Sequence, residues 1–251
     1  MTVSLCLLVW NELEGCKIDV PHLPVDRFEE IYAIDGGSTD GTNEYLAAMG
    51  IPVYQQAKRG LNAAYHAAYE RSHCDAVVVF FPKGTTPTED VLHFRPLFES
   101  GCALVVASRN IRGARNEEDG RWIKPRKWSV ISLALLAAAI WCREGYWIRD
   151  VLHGFKGFTR EGFSKMNPSD QGVSIDLELA VRSYRLRLKR AEFPTREVRR
   201  GHGQTRFKAI PTGIKLLGFL WAELRRSVGA PVHDACFGGE RTTPAARHCN
   251  D

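Results

Sequence analysis

Apolar runs alternate with amphipathic stretches through the first 110 residues. Residues 3–10 are almost wholly apolar, which predicts a strand buried on both faces of a parallel sheet. Residues 11–15 are polar and read as a turn. A second strand is expected over 28–34, ending in Asp35-Gly36-Gly37-Ser38-Thr39-Asp40-Gly41. A helix should run from there through Met49, with Thr39 or Asp40 as its cap and Glu44 in its first turns. Residues 51–55 suit a short strand, 61–72 an Ala-rich helix and 75–81 a strong strand stopped by Pro82-Lys83-Gly84. Residues 88–99 read as helix despite Pro96, and 103–108 as another buried strand.

The second half has a different pattern. Residues 110–127 are polar and basic and read as a loop, and 128–141 as an apolar helix. Residues 151–158 contain Gly and suit a strand or a loop. A helix is expected over 175–187, where Leu177, Ala180, Val181, Tyr184 and Leu188 fall at helical spacing. A strand follows at 190–194, a basic Gly-rich loop at 199–207 and an apolar helix at 214–224. Strands alternating with helices predict an α/β, Rossmann-like fold with a mostly parallel central sheet flanked by helices. Such sheets bind ligands at the carboxyl ends of their strands. We expect one domain over 1–228, with a nucleotide half at about 1–110, an acceptor half at about 111–228 and a loose tail at 229–251.

At 251 residues, 44% hydrophobic and 25% charged, the chain is long and apolar enough to bury a core. The net charge of +5 is modest but uneven. Arg112, Arg115, Arg121, Lys124, Arg126 and Lys127 crowd one segment, and a second basic group lies at 196–208. Clustered cations favour phosphate, a membrane surface or nucleic acid. The last is disfavoured, because the clusters have little aromatic interleaving and form no nucleic-acid module. The seven cysteines include no C-x-x-C pair and several sit in apolar runs, which suits free thiols in a reducing cytosol. Residues 3–10 lack a basic leader, and 128–141 is shorter than the ~20 residues of a membrane span.

Several motifs then converge. Leu7-Leu8-Val9-Trp10-Asn11-Glu12 resembles the strand-then-Tyr-Asn-Glu opening of the family-2 inverting glycosyltransferases. Residues Ile34 to Thr42 are similar to that family's Asp-Asp-Gly-Ser-Thr-Asp-Gly-Thr segment, with Gly36 in place of the second Asp. Arg59-Gly60-Leu61-Asn62-Ala63-Ala64 resembles its Gly-rich approach to the next helix. Val106-Ala107-Ser108-Arg109, Asp150 to Phe158, and Arg200-Gly201-His202-Gly203-Gln204-Thr205-Arg206 are similar to segments of the dolichyl-phosphate mannosyltransferase-like branch. The likeness covers roughly 3–208 and implies a GT-A fold, a nucleoside-diphosphate-sugar donor and transfer with inversion to a polyprenyl-phosphate or glycan acceptor. One departure matters. The family's third strand ends in Asp-x-Asp, which holds a divalent metal on the diphosphate, whereas here the strand meets Pro82-Lys83-Gly84. Mg2+ or Mn2+ stays open as a cofactor, with its usual ligands absent and no metal-ligating residue assigned.

The chemistry suggests roles. A departing diphosphate gains negative charge, which a metal or a Lys or Arg must stabilise. Lys83 is the candidate substitute, against a solvated lysine in a strand-ending turn. Asp35 could accept bonds from a base or ribose, or merely from its own turn. Asn11, Glu12 and Gly37 would share the nucleotide-sugar pocket with it, and Arg59 and Arg109 could approach the diphosphate or sugar. Asp176 and Asp150 are the acid–base candidates. Asp176 matches a catalytic Asp at a helix start in the family, yet with Ser174 as cap it could simply complement the helix dipole. A lipid-phosphate acceptor would need no base, and Asp150 would then orient groups. Arg199, Arg200, His202 and Arg206 form a Gly-hinged cationic loop suited to phosphate. Tryptophans bracket 128–141 and basic residues precede it, which suits peripheral contact with the inner face of a membrane by a cytoplasmic protein. The rival reading is a degenerate transferase that binds nucleotide sugar without catalysis. A sugar-nucleotide pyrophosphorylase ranks lower, because no Gly-rich, Arg-bearing loop follows the first strand.

Overall fold

The computed structural model describes residues 1–120, 122–199, 201 and 209–229. In chain order these form β1 (Val3–Val9), α1 (Leu13–Asp19), β2 (Glu30–Asp35), α2 (Thr42–Ala48), β3 (Val53–Gln55), α3 (Leu61–Arg71) and β4 (Ala76–Phe80). Then come α4 (Phe94–Glu99), β5 (Leu104–Ser108), α5 (Pro125–Trp141), β6 (Lys156–Thr159), α6 (Arg160–Met166), α7 (Ile175–Arg185), β7 (Arg190–Pro194) and α8 (Ala209–Gly229). The seven strands make one sheet in the order β3-β2-β1-β4-β6-β5-β7. All neighbours are parallel except β6, which runs antiparallel between β4 and β5. This is the mostly parallel α/β sheet that the pattern predicts.

The apolar runs work as expected. Along β1, Leu5, Leu7 and Val9 face a core closed by α1, α2 and α4, while Cys6 and Leu8 face a core closed by α3, α5, α6, α7 and α8. Every residue of β1, β4 and β5 is buried, which is why these segments show no polar face. The second core is aromatic: Phe158 lies 4.4 Å from Phe163 and 6.2 Å from Tyr65, centroid to centroid. On the opposite face Gly157 lets the first core close against β6, because a Cβ there would lie 2.7 Å from Phe98 Cζ and 3.0 Å from the Val77 carbonyl oxygen.

Three expectations need correcting. Residues 11–15 are not only a turn, since α1 begins at Leu13. Its apolar residues span barely two turns, too few for the helical period to emerge. Asp40 helps fix both helix starts in this corner, accepting from Leu13 N at 3.1 Å and from Thr42 N at 3.1 Å, although the residue at the cap of α2 is Gly41 in the left-handed region. The apolar helix starts at Pro125, three residues earlier than its pattern suggests, because Pro favours a first helical turn. The basic run before it is countered by nearby acids: Lys124 and Lys127 pair with Asp119, and Arg126 with Glu117. The 151–158 alternative resolves into both forms, with turn before Lys156 and strand after it. The five cysteines among the described residues are free thiols.

Phe158 is fully buried within the ring cluster. Phe158→Ala should therefore lower unfolding free energy by about 3–5 kcal/mol. Urea denaturation followed by tryptophan fluorescence measures this, and a loss below about 1 kcal/mol would show that the cluster is not the core's anchor.

Candidate functional site

The carboxyl edge of the sheet gathers the chemistry. Residues 10–12 leave β1 there, 35–40 leave β2, 82–84 follow β4, Arg109 follows β5 and 195–199 follow β7. Because β6 is antiparallel, its approach through 150–155 reaches the same edge. Adjacent strands lie about 4.8 Å apart, so the ends of β2 and β4, separated by β1, are roughly 10 Å apart. Asp35 and Lys83 thus flank the Trp10–Glu12 corner.

In that corner Asn11 adopts φ 50°, a left-handed conformation that Asn tolerates. Its amide donates to Ser38 Oγ at 2.8 Å, and its side-chain oxygen accepts from Thr39 N at 2.7 Å. Glu12 N donates to Thr42 Oγ1 at 3.0 Å. Asp35 is buried and accepts from Gly37 N, Ser38 N and Asn43 Nδ2, each at 3.0 Å. Burial raises its carboxyl pKa, but the bonds from Ser38, Asn43 and Gly37 hold it below the usual carboxylate range. The self-bonded turn is therefore real, and Asp35 still lines an open cavity of about 680 Å3 with Ser38, Asn43, Pro52 and Gln55. Gly37 shapes this turn at φ 95°. Gly36 packs beside Trp10, whose Cβ and Cγ would each lie 3.1 Å from an added Cβ.

Lys83 sits on the turn after β4, with Nζ 4.7 Å from the Phe81 ring centroid. It is close enough to Glu197 to help depress that carboxyl's pKa. Beyond it, Val198 N donates to the Thr85 carbonyl at 2.9 Å. The segment leading to the basic loop is therefore tied to the turn carrying Lys83.

Arg109 forms the densest node. Its Nε donates to Asp150 Oδ2 at 2.8 Å, Nη2 to Asp150 Oδ1 at 2.9 Å and Nη1 to Glu197 Oε2 at 2.7 Å. Asp150 is fully buried, and its backbone amide donates to Glu192 Oε1 on β7 at 2.9 Å. Burial raises the Asp150 pKa, yet Arg109 brings it down to about 2. Burial and then Arg109 push the His153 pKa below its ordinary value, while its Nδ1 bonds the Ala107 carbonyl. Both Arg109 and Asp150 are thus committed to each other, and Asp150 orients Arg109 from below the surface.

Asp176 opens α7. Its Oδ1 pairs with the buried Lys156 ammonium at 2.8 Å and lies 3.3 Å from Tyr65 Oη, while 10% of its side chain stays exposed. Ser174 occupies the cap position, but its hydroxyl donates to Glu178 at 2.6 Å instead of accepting a backbone bond. The cap role falls to the buried Asn62, whose Oδ1 accepts from Ile175 N at 2.9 Å and whose Nδ2 reaches Glu178 at 3.1 Å. The Arg59–Asn62 segment therefore holds the loop that presents Asp176. Arg59 and Arg199 are exposed and make no hydrogen bond or ion pair to a described residue. Arg200, His202 and Arg206 lie outside the described residues.

Sequence reading missed Asn62, Lys156, Glu178, Glu192 and Glu197 as supports. Lys156 alone carried a signal, a lysine inside an otherwise apolar strand. A larger groove of about 1290 Å3 runs between α3, α6, α7 and α8, but its cations are matched by Asp170, Glu161, Glu178 and Glu223.

The residues at the end of β4 do not fit a divalent ion. Pro82, Lys83 and Gly84 offer no carboxylate, Asp19 nearby is turned to the Gly84 amide, and Glu197 is held by Arg109. Among the described residues, no three His, Cys, Asp or Glu side chains converge as ligands.

No family model matches the chain. It is 28% identical over 228 residues to glycosyltransferase AglJ of Haloferax volcanii, covering 89% of this chain and 71% of that protein. Among solved structures it is similar to glucosyl-3-phosphoglycerate synthase from Mycobacterium tuberculosis in complex with UDP, with TM-score 0.64 and 18% identity over 88% of this chain and 79% of that one. The same enzyme with Mn2+, UDP and phosphoglyceric acid gives TM-score 0.64 and 21% identity, covering 92% and 80%. The fold is the GT-A glycosyltransferase fold, and the chain is a glycosyltransferase enzyme.

The depressed Asp150 carboxyl sets a pH signature. Its folded value of about 2 lies below the ordinary 3.8, so its contribution is complete above about pH 4 and is lost as pH falls toward 2. Urea unfolding between pH 6 and pH 2 should show that slope in the wild type and a shallower one in Asp150→Asn. At pH 7 the variant should be less stable by roughly 3–5 kcal/mol, the cost of leaving Arg109 half-paired in the interior.

Proposed function

We propose that this glycosyltransferase takes its sugar from a nucleoside-diphosphate sugar and passes it, with inversion at the anomeric carbon, to a polyprenyl-phosphate or glycan acceptor. The observation that carries the reading is the fixed lysine turn after β4, placed between the Asp35 cavity and the Arg109 node. The likeness to a UDP-bound synthase of the same fold supports the choice of donor.

In this reading Asp35, Asn11, Glu12 and Gly37 shape the nucleoside end. As the acceptor oxygen attacks the anomeric carbon, the bond to the diphosphate breaks and its electron pair stays on the leaving oxygen. Lys83, assisted by Arg59 and by Arg199, Arg200, His202 and Arg206 of the basic loop, offsets the charge that develops there. A hydroxyl acceptor must lose a proton, and in this reading Asp176 is the base that takes it. A phosphate acceptor is already ionised and needs no base. Asp150 takes part by orienting Arg109. No step depends on Mg2+ or Mn2+, and nucleic acid has no role.

A lipid acceptor is supported by the outer helices. Trp128, Leu135 and Leu136 stand exposed on α5, with Trp122 exposed just before it. Ile214, Leu217 and Trp221 form an exposed stripe on α8, flanked by the exposed Lys215 and Arg225. Apolar stripes edged by cations suit the surface of an anionic bilayer. Among the described residues no helix is long and apolar enough to cross it, so the contact would be peripheral.

Lys83→Ala should lower kcat for transfer from UDP-glucose or GDP-mannose by at least ~100-fold while the melting temperature holds. Wild-type turnover should survive EDTA. Undiminished turnover in the variant removes Lys83 from the mechanism, and loss of activity on chelation removes metal independence. For the membrane reading, the protein should float with phosphatidylglycerol vesicles but not with phosphatidylcholine vesicles, and Leu217→Ser with Trp221→Ser should abolish flotation.

A further inference from the structure

The turn that carries Lys83 is held by an element the chemistry above does not use. Helix α1 presses its backbone against that turn: a Cβ on Gly15 would lie 2.2 Å from the Pro82 carbonyl oxygen and 2.8 Å from Lys83 Cα. One turn later Asp19, only 4% exposed, accepts from Gly84 N at 2.7 Å. Gly84 has φ +66°, and its missing Cβ would meet Ile18 Cδ1 at 2.9 Å, so α1 covers both sides of the lysine. Little else requires these features. Asp19 makes no ion pair within 4 Å among the described residues, and burying an unpaired carboxylate is costly.

We propose that α1 is a brace that sets where the Lys83 ammonium stands, with Asp19 as a positioning residue for sugar transfer and Gly15 as its close-contact point. The inference rests on the reading of Lys83 as the cation that meets the leaving diphosphate. Its physical logic is distance. A single ammonium stabilises developing charge only while it stays within contact range, and a misplacement of about 1 Å far from the chemistry can cost ~100-fold in rate. A two-charge metal tolerates flexible ligands, whereas a lysine on a long flexible stem depends on its Cα being fixed. Burial raises the Asp19 carboxyl and the Gly84 and Lys83 amides pull part of that back, leaving it at about 6, so the group is charged at neutral pH against the turn it supports.

The test is a double-mutant cycle on the full chain, with transfer from UDP-glucose and GDP-mannose as readouts. Asp19→Ala should lower kcat about 10- to 100-fold and leave KM for the donor within about 3-fold. Asp19→Asn keeps an acceptor oxygen for Gly84 N and should restore kcat to within about 3-fold of wild type. In a Lys83→Ala background, Asp19→Ala should produce no further loss, because the brace acts only through that lysine. A full multiplicative loss in that background, or an unchanged kcat in Asp19→Ala alone, overturns the proposal while leaving Lys83 in place. An active Lys83→Ala single variant instead overturns the underlying reading. If Asp19→Ala does not fold, Gly15→Ala decides: it pushes the turn outward and should lower kcat only while Lys83 is present. Equal losses from Gly15→Ala with and without Lys83 count against the brace.

Discussion

One buried guanidinium organises the working edge of this protein. Arg109 leaves the end of β5 and is gripped by Asp150 from the approach to β6 and by Glu197 from the chain beyond β7. A guanidinium with 17% side-chain exposure is tolerable only with its charge compensated, and two carboxylates supply that compensation. Three segments distant in sequence must meet for this to happen. Their meeting places Glu197 beside Lys83 and threads the next residues past Thr85. The turn carrying Lys83 on one side of the edge is therefore tied to an ion-paired node on the other.

That arrangement explains how a lysine could stand where the family that the sequence resembles carries two acids. Carboxylates recruit charge from solution and can share it among flexible ligands. A lysine brings its own charge but only one unit of it, at the end of a mobile stem. The protein answers with backbone contacts. Gly15 admits the turn to van der Waals range of α1, Asp19 receives an amide, and Val198 ties the far side. The departure at 82–84 and the tight packing around it are thus one feature seen at two scales.

Much of the fold was legible in the sequence because every residue of β1, β4 and β5 is buried and the code is simply a continuous apolar run. The short helices α1 and α6 were not legible, since two turns give too few positions for a 3.6-residue period to stand out. The strand order was also hidden. Nothing in the residues from Lys156 to Thr159 announces that they insert between β4 and β5 in the opposite direction. Of the site, Asp35, Asn11 and Lys83 stood out through turn chemistry and family likeness. Asn62 and Glu178 did not, because their value is to satisfy one another and the start of α7, which depends on residues more than 100 positions apart. Arg109 stood out as a residue that could approach the diphosphate or sugar, but its pairing with Asp150 and Glu197 was not legible, since those acids lie about 40 and 90 positions away.

The reversed strand has a consequence for synthesis on the ribosome. β4 and β5 never touch as neighbours; each pairs with β6, whose residues emerge about 50 to 80 positions later. Until then both strands carry bare, almost wholly apolar edges of the kind that invite mispairing with another chain. A fragment ending near residue 110 would hold every residue proposed for the nucleotide end and still lack the strand that closes its own sheet. The expected nucleotide half thus cannot be cut out with its sheet complete, and the nascent chain is most exposed to aggregation just before its sixth strand appears.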